Sequence, residues 1–162
     1  MTDGRLAPAW QISRWFNSAP LTLADLRGRV VVAHAFQMLC PGCAMQALPQ
    51  MRRVQQMFPI ERLMVVGLHT VFEHHKAQGP VSLEAFLHEY RYTFPVGIDK
   101  HTEGDPLPLT MRAYAMQGTP TLLLIDAQGR LREQHFGALD DLALGAALGG
   151  LLGEAEKATS PG

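Results

Sequence analysis

The chain reads VVVAHAFQMLCPGC from Val30 to Cys43, so an apolar run is followed closely by a Cys-x-x-Cys pair. The run is rich in β-branched residues, which is typical of a strand buried on both faces. Apolar residues at helical spacing then continue to Phe58, and Pro49 inside this pattern predicts a kink. Residues three apart on the first helical turn share a face, with Cβ atoms about 5–6 Å apart. The sequence therefore predicts a strand, a turn and a helix that place Cys40 and Cys43 within reach of a reversible disulfide.

The rest of the chain alternates between strand and helix patterns. Apolar runs predict further strands at Leu63–Leu68 and Phe94–Ile98 and a β-hairpin from Leu122 to Phe136. A helix is predicted from Leu139 to Leu152, with Asp140 or Asp141 as its N-cap. Parallel strands joined by helices, followed by an antiparallel pair, predict an α/β fold with a central mixed sheet and helices on both faces.

Length and composition narrow the class of protein. With 162 residues the chain is expected to be a single domain, with residues 1–9 and 153–162 as flexible tails. A net charge of −1 gives no reason to expect nucleic acid or an anionic membrane as a partner, and no apolar run is long enough to span a bilayer. The N-terminus lacks a signal-peptide pattern, so we expect a cytoplasmic protein. Two cysteines are too few for a disulfide scaffold and favour a catalytic or metal-binding role.

Three segments carry a resemblance to a known superfamily. They are LADLRGRVVV at 23–32, CPGC at 40–43 and GTPTLLLIDAQG at 118–129. Together they resemble the thioredoxin-fold superfamily in its redoxin branch, the TlpA-like and AhpC/TSA-like thiol proteins. The resemblance implies a three-layer thioredoxin-like fold with a helical insertion between the second and third predicted strands and a C-terminal hairpin plus helix. It also implies a cis peptide bond between Thr119 and Pro120, facing the cysteines.

The match departs from the family pattern at several positions around the cysteines. Leu39 stands where thioredoxin-like sites usually carry Trp, and Gln46 where many TlpA-like sites carry Glu. Ala33 and Gln37 stand where peroxiredoxins have Pro and a Thr or Ser before the peroxidatic cysteine. These departures argue against ordinary peroxidatic chemistry and leave the partner and the redox potential open.

The two cysteines receive different expected roles. Cys40 would lie at the helix N-terminus, where unpaired amides and the helix dipole favour a thiolate, so we assign it the attack on a disulfide. Cys43, one turn further in, would be shielded and would resolve the mixed disulfide. Pro41 and Gly42 complete the motif without adding charge.

Other residues are candidates for docking and proton transfer. The resemblance implies that Thr119 and Pro120 bind the substrate, with the Thr119 backbone pairing with it like a strand. Met38 and Leu39 could add an apolar docking surface. His34 lies six residues before Cys40, where thioredoxins have a buried Asp, and is a possible proton relay. Its alternative role is that of a strand histidine satisfied by hydrogen bonds.

Three functions remain open on the sequence. The first is a thiol–disulfide oxidoreductase that needs no bound cofactor, because the Cys40–Cys43 pair exchanges electrons with protein thiols or disulfides and an upstream dithiol reductant. The second is a peroxide-reducing, peroxiredoxin-like antioxidant. The third is a metal-binding or redox-sensing module in which the cysteines act with histidines, for which His69, His74 and His75 are the candidates.

Overall fold

The computed structural model describes residues 3–160 and contains one seven-stranded mixed sheet. Its strands are β1 (Arg5–Leu6), β2 (Ile12–Phe16), β3 (Val30–Phe36), β4 (Leu63–His69), β5 (Val96–Asp99), β6 (Thr121–Ile125) and β7 (Arg130–Phe136). Its α-helices are α1 (Leu48–Met57), α2 (Pro80–Glu89), α3 (Leu109–Ala113) and α4 (Asp141–Thr159). The strand order is β1-β7-β6-β3-β4-β5-β2. Within residues 3–160, no helix is both long enough and apolar enough to cross a membrane.

Strand β3 lies at the centre of the sheet, and all seven of its residues are buried. It pairs in parallel with β4 and antiparallel with β6, so that His34 lies beside Gly67 on one side and Leu122 on the other. Antiparallel pairing places the end of β3 next to the beginning of β6. The segment that follows β3, with Cys40, therefore meets the segment that precedes β6, with Thr119.

Helices cover both faces of the sheet, as predicted. Alternate residues of β3 point to opposite faces, because side chains alternate along a strand. On one face, β3 packs in a core to which helices α1, α2 and α4 contribute leucines and a methionine: Leu48, Met51, Leu83, Leu87, Leu144 and Leu148. On the other face, Val31, Ala33 and Ala35 pack with Met111 of α3 and with Leu26 of a 3₁₀ turn. This is the three-layer α/β arrangement predicted from the sequence, and α2 is the helical insertion between β4 and β5.

The helix after the cysteines begins with an irregular turn. Residues Cys43–Ala47 form a π-helical turn, in which the N–H of Leu48 donates to the Cys43 carbonyl five residues earlier. Helix α1 then begins, with Pro49 in its first turn. A proline has no N–H to donate, and the first turn of a helix tolerates that loss. The sequence predicts a kink at Pro49; the structure instead has a wider turn directly before it.

Regular secondary structure extends into both segments that the sequence predicts as flexible tails. Residues Arg5 and Leu6 form β1 and pair with Leu131 and Arg130 of β7, which gives that edge strand a partner. Helix α4 continues to Thr159 instead of ending at residue 152, because its last turns contain alanine, glutamate and lysine, all good helix formers. Residues 1–2 and 161–162 lie outside the part of the chain that the structure describes.

Asp140 is the N-cap of α4, which gives a test of local stability. Its carboxylate accepts hydrogen bonds from the backbone N–H groups of Leu142 at 2.9 Å and Ala143 at 3.4 Å. Replacing Asp140 by alanine is expected to lower the free energy of unfolding by about 1 kcal/mol, because two N–H groups lose their acceptor. Urea unfolding measures this change. Asp140→Asn keeps the acceptor and should retain most of the stability; an equal loss in both variants would contradict the capping role.

Candidate active site

The two cysteines differ in exposure and lie at the start of the helix that follows β3. Cys40 is partly exposed, whereas Cys43 is buried, and both are free thiols. The backbone N–H of Cys43 donates to the Cys40 sulfur at 3.3 Å. The site therefore has one solvent-accessible sulfur, that of Cys40, which accepts a hydrogen bond from a backbone N–H. The second sulfur, that of Cys43, lies in the protein interior.

The segment before β6 faces these cysteines. The Thr119–Pro120 peptide bond is cis, and the Cys40 thiol donates to the Thr119 carbonyl at 3.5 Å. A Cβ atom added to Gly42 would lie 3.4 Å from Cδ of Pro120, so the proline ring lies directly against the motif. The structure therefore brings together Cys40, Gly42, Thr119 and Pro120, four of the residues that the sequence singles out. Pro41 is exposed beside them.

Burial makes Cys43 a weak acid. Desolvation is the main cause that raises the pKa of its thiol to about 12, and the neighbouring Cys40 adds to the rise. Hydrogen bonds from the backbone of Gln37 and from the side chain of Thr119 act in the opposite direction. At neutral pH, Cys43 is consequently a thiol, and its reactivity depends on the few groups that stabilise its thiolate.

Gln37 directly follows β3, and its side chain is buried. Its amide nitrogen donates to the Thr119 hydroxyl at 3.1 Å. Its amide oxygen accepts from the backbone N–H groups of Phe72 at 3.2 Å and Glu73 at 3.3 Å, and from the side chain of Gln78 at 3.1 Å. Gln37 therefore connects the cis-proline segment to the loop after β4.

Gln78 is the second buried glutamine of this network. Its amide oxygen accepts from the backbone N–H of Leu39, the residue before Cys40, at 3.0 Å. Its amide nitrogen donates to the Glu73 carbonyl at 2.8 Å as well as to Gln37. Sequence reasoning assigned no role to either side chain. The available signal was Gln37, a polar residue that directly follows a nearly all-apolar strand and precedes the cysteines.

His34 is buried in β3, on the face that also packs Cys43. Desolvation lowers the pKa of its imidazole to about 4, although the backbone of Ala35 partly opposes the shift. Its Nδ1 atom has no hydrogen-bond partner among the described residues. The proton-relay role of His34 and its alternative role as a strand histidine satisfied by hydrogen bonds both stay predictions.

The other candidate histidines do not converge. His69 is buried at the end of β4 with its ring centroid 5.1 Å from that of Phe36, and burial lowers its pKa to about 4. His74 is exposed in the following loop, and the ring of His75 faces that of His101. Across residues 3–160, no three His, Cys, Asp or Glu side chains are grouped closely enough to hold a metal ion. The suggested metal site at these histidines is not supported.

An apolar groove of about 670 Å³ borders the cysteine motif. Leu39 and Met45, which flank the motif, are 55% and 77% exposed. The groove is lined mainly by apolar and aromatic side chains, among them Met38, Leu39, Met45, Phe86, Tyr90 and Tyr92. Exposed apolar surface beside a reactive group is typical of a site that binds another molecule.

Comparison with known proteins agrees with this geometry. The chain is similar to a thioredoxin-like superfamily protein of known crystal structure, with 58% sequence identity and a TM-score of 0.89. The match covers 91% of this chain and 96% of that protein. A thiol-disulfide isomerase from Corynebacterium glutamicum is 43% identical over 90% of this chain and 96% of its own, with a TM-score of 0.87. StoA from Bacillus subtilis shares the fold, with a TM-score of 0.66 and 21% sequence identity. That match covers 86% of this chain and 96% of StoA.

These similarities confirm the thioredoxin-like fold. No curated protein matches the sequence. The model of the AhpC/TSA family matches residues 4–134, which include both cysteines and the Thr119–Pro120 segment. The chain therefore belongs to the AhpC/TSA family.

Proposed function

We propose that the protein is a thiol–disulfide oxidoreductase that exchanges electrons between its Cys40–Cys43 pair and a disulfide of a protein partner. One observation carries the proposal. The partly exposed Cys40 sulfur accepts a hydrogen bond from the Cys43 amide, while the Cys43 sulfur is buried behind it. The first cysteine is thereby suited to attack a visiting molecule, and the second can react only with what is bound to the first.

The reaction proceeds by two thiolate–disulfide exchanges. The Cys40 thiolate attacks one sulfur of the partner's disulfide, forms a mixed disulfide and releases the other sulfur as a thiolate. Cys43 then loses its proton and attacks the Cys40 sulfur, which forms the Cys40–Cys43 disulfide and releases the partner's second thiolate. Two electrons have moved to the partner, and a dithiol reductant of the cytoplasm restores the protein. The sulfur atoms carry both electrons, so the proposed cycle requires no bound cofactor.

The proton of Cys43 needs an acceptor during the second exchange. The unpaired Nδ1 of His34 supports that residue as the acceptor. An imidazole with a pKa of about 4 is neutral at physiological pH and binds a proton only briefly. His34 would therefore pass the proton on instead of storing it.

A protein substrate agrees with the surface around Cys40. The groove beside Leu39 and Met45 offers apolar contacts for a segment that flanks the partner's cysteine. In this structure the Thr119 carbonyl accepts a hydrogen bond from the Cys40 thiol. Once the Cys40 sulfur has reacted, that carbonyl is available to accept a hydrogen bond from the backbone of the partner. The name of the Corynebacterium glutamicum protein, a thiol-disulfide isomerase, supports the same class of substrate.

Peroxide reduction is the competing activity, and a direct comparison separates the two. We expect the protein to accelerate the reduction of insulin by dithiothreitol, followed as turbidity, and to consume hydrogen peroxide slowly. The reason is that Gln37 stands where a peroxiredoxin has a hydroxyl residue, and its amide already binds four protein groups. Peroxide consumption faster than insulin reduction at equal substrate would overturn the proposal.

A further inference from the structure

The apolar groove beside the cysteine motif is formed by two segments that are far apart in the chain. Leu39 and Met45 belong to the motif segment. Phe86 and Tyr90 belong to the helical insertion, within α2 and at its C-cap. We propose that this groove receives a large apolar side chain of the partner polypeptide, close in sequence to the cysteine that Cys40 attacks. The inference rests on the proposed function and deepens it, because it names the substrate class: disulfides flanked by aliphatic or aromatic residues.

Large apolar side chains around this groove are exposed to solvent. Leu39, Met45 and Tyr90 are 55%, 77% and 60% exposed. An apolar side chain of a partner in the groove would remove part of this surface from water, which is the main favourable contribution to most protein associations. The groove volume of about 670 Å³ lies within the range of about 300–1,000 Å³ that is typical of ligand pockets. It is therefore large enough to enclose a side chain of a polypeptide.

Gln78 joins the insertion to the cysteine motif beside the groove. It stands two residues before the start of α2, and its amide oxygen accepts a hydrogen bond from the Leu39 N–H at 3.0 Å. Ala77, the residue before it, lines the groove, as Leu39 does. Because Leu39 directly precedes Cys40, this bond fixes the position of the insertion relative to the reactive segment. A side chain bound in the groove is thereby kept at a defined distance from the Cys40 sulfur.

Arg52 of α1 supports the aromatic part of the groove. Its guanidinium carbon lies 4.2 Å from the ring centroid of Tyr92, and the guanidinium donates a hydrogen bond to the Tyr90 carbonyl. The ring centroid of Phe86 is 4.8 Å from that of Tyr90 and 6.0 Å from that of Tyr92. Aromatic side chains that already pack against one another lose little conformational freedom when a partner binds. The aromatic part of the groove is therefore formed before the partner arrives.

The charge of the lining indicates which kind of molecule occupies the groove. Glu89 is the charged residue of the lining, and its side chain is exposed. A carboxylate at this place disfavours fatty acids and other anionic amphiphiles by like-charge repulsion. A neutral or basic polypeptide segment has no such penalty. The reaction itself brings a segment with the attacked cysteine to the groove, because Leu39 adjoins Cys40. We therefore assign the groove to the polypeptide of the partner.

Peptide disulfides measure this preference directly. Each peptide has one cysteine joined to 5-thio-2-nitrobenzoate, with serine at the neighbouring positions except for one phenylalanine at one of the three positions on either side. The Cys40 thiolate attacks the peptide sulfur, and thionitrobenzoate leaves with the electron pair of the broken S–S bond, because its thiol has the lower pKa. Its absorbance gives the rate constant of the first exchange with the reduced wild-type protein. We expect phenylalanine at one or two of these positions to raise that rate constant about tenfold over the all-serine peptide, the smaller end of the effect of burying one such side chain.

Variants test whether the preference arises at the groove. Replacing both Met45 and Tyr90 by glutamine makes two exposed side chains of the groove polar and should reduce the phenylalanine advantage to less than about twofold. The advantage is a ratio of two rate constants on the same variant, so a change in the reactivity of Cys40 cancels. Met57→Gln is the matched control: Met57 is similarly exposed but borders a different cavity, between α1 and α4, and its replacement should leave the advantage intact.

Several results would overturn the inference. They are no phenylalanine advantage, an equal advantage at all positions, which would indicate general apolar attraction, and an advantage that the double variant keeps or that Met57→Gln also loses. A wild-type dimer in sedimentation equilibrium that dissociates in the double variant would overturn it as well, because a second copy of the chain would then cover the groove. Failure of the proposed function looks different, because the wild-type protein would then release thionitrobenzoate from none of the peptides.

Discussion

Replacing Cys43 by serine is expected to convert the protein into a covalent trap that accumulates mixed disulfides through Cys40. Serine keeps the backbone N–H that donates to the Cys40 sulfur, so the first exchange proceeds. A hydroxyl group does not attack a disulfide, so the second exchange stops and turnover is lost. With insulin as substrate and no free thiol, non-reducing electrophoresis and mass spectrometry should show one adduct per chain, which dithiothreitol removes.

Cys40→Ser is the matched control for this experiment. Its remaining thiol, Cys43, is buried and has a pKa raised to about 12, so it should form no adduct and support no insulin reduction. The opposite result, an adduct on Cys40→Ser and none on Cys43→Ser, would reverse the assigned roles. Adducts on both variants to the same extent would show that burial does not separate the two thiols.

The parts of the fold that depend on local pattern could be predicted from the sequence. Val30–Phe36 forms the predicted buried strand, because a β-branched and nearly all-apolar run has few alternatives to a central strand. Asp140 caps α4, because an acidic residue directly before an apolar helical pattern is a strong start signal. The contact between Cys40 and Thr119 could be predicted only from the family resemblance, since the two residues are 79 positions apart in the chain.

The features that sequence reasoning missed depend on contacts between distant segments. Gln37 and Thr119 are 82 positions apart, and Gln37 and Gln78 are 41 apart, so no local pattern joins them. The strand Arg5–Leu6 has only two residues and exists because β7 offers a free edge. The role of a buried glutamine and the existence of a two-residue strand both depend on contacts with distant residues. Composition and periodicity do not show which distant residues those are.

Acidification from about pH 6.5 to about pH 4 is expected to destabilise the protein, because His34 and His69 are buried as neutral imidazoles. Desolvation lowers the pKa of each from 6.5 to about 4. In this range the unfolded chain binds protons at both histidines and the folded chain does not, so falling pH favours unfolding. A pKa shift of this size lowers the free energy of unfolding by at most roughly 3 kcal/mol for each histidine. The full loss is reached only when the pH is below the pKa of the folded state.

Urea unfolding at about pH 7 and about pH 4.5 measures this loss, and variants assign it to the two histidines. Replacing His34 and His69 together by leucine should remove most of the difference between the two pH values, because no buried imidazole is left to be protonated. His88→Gln is the control, since His88 is exposed and should leave the difference unchanged. Burial raises the pKa of Asp99, which stabilises the folded state as pH falls and so acts in the opposite direction. All variants keep Asp99, so its contribution to the pH dependence cancels when they are compared. An unchanged pH dependence of stability in the double leucine variant would refute the burial of both histidines as neutral imidazoles.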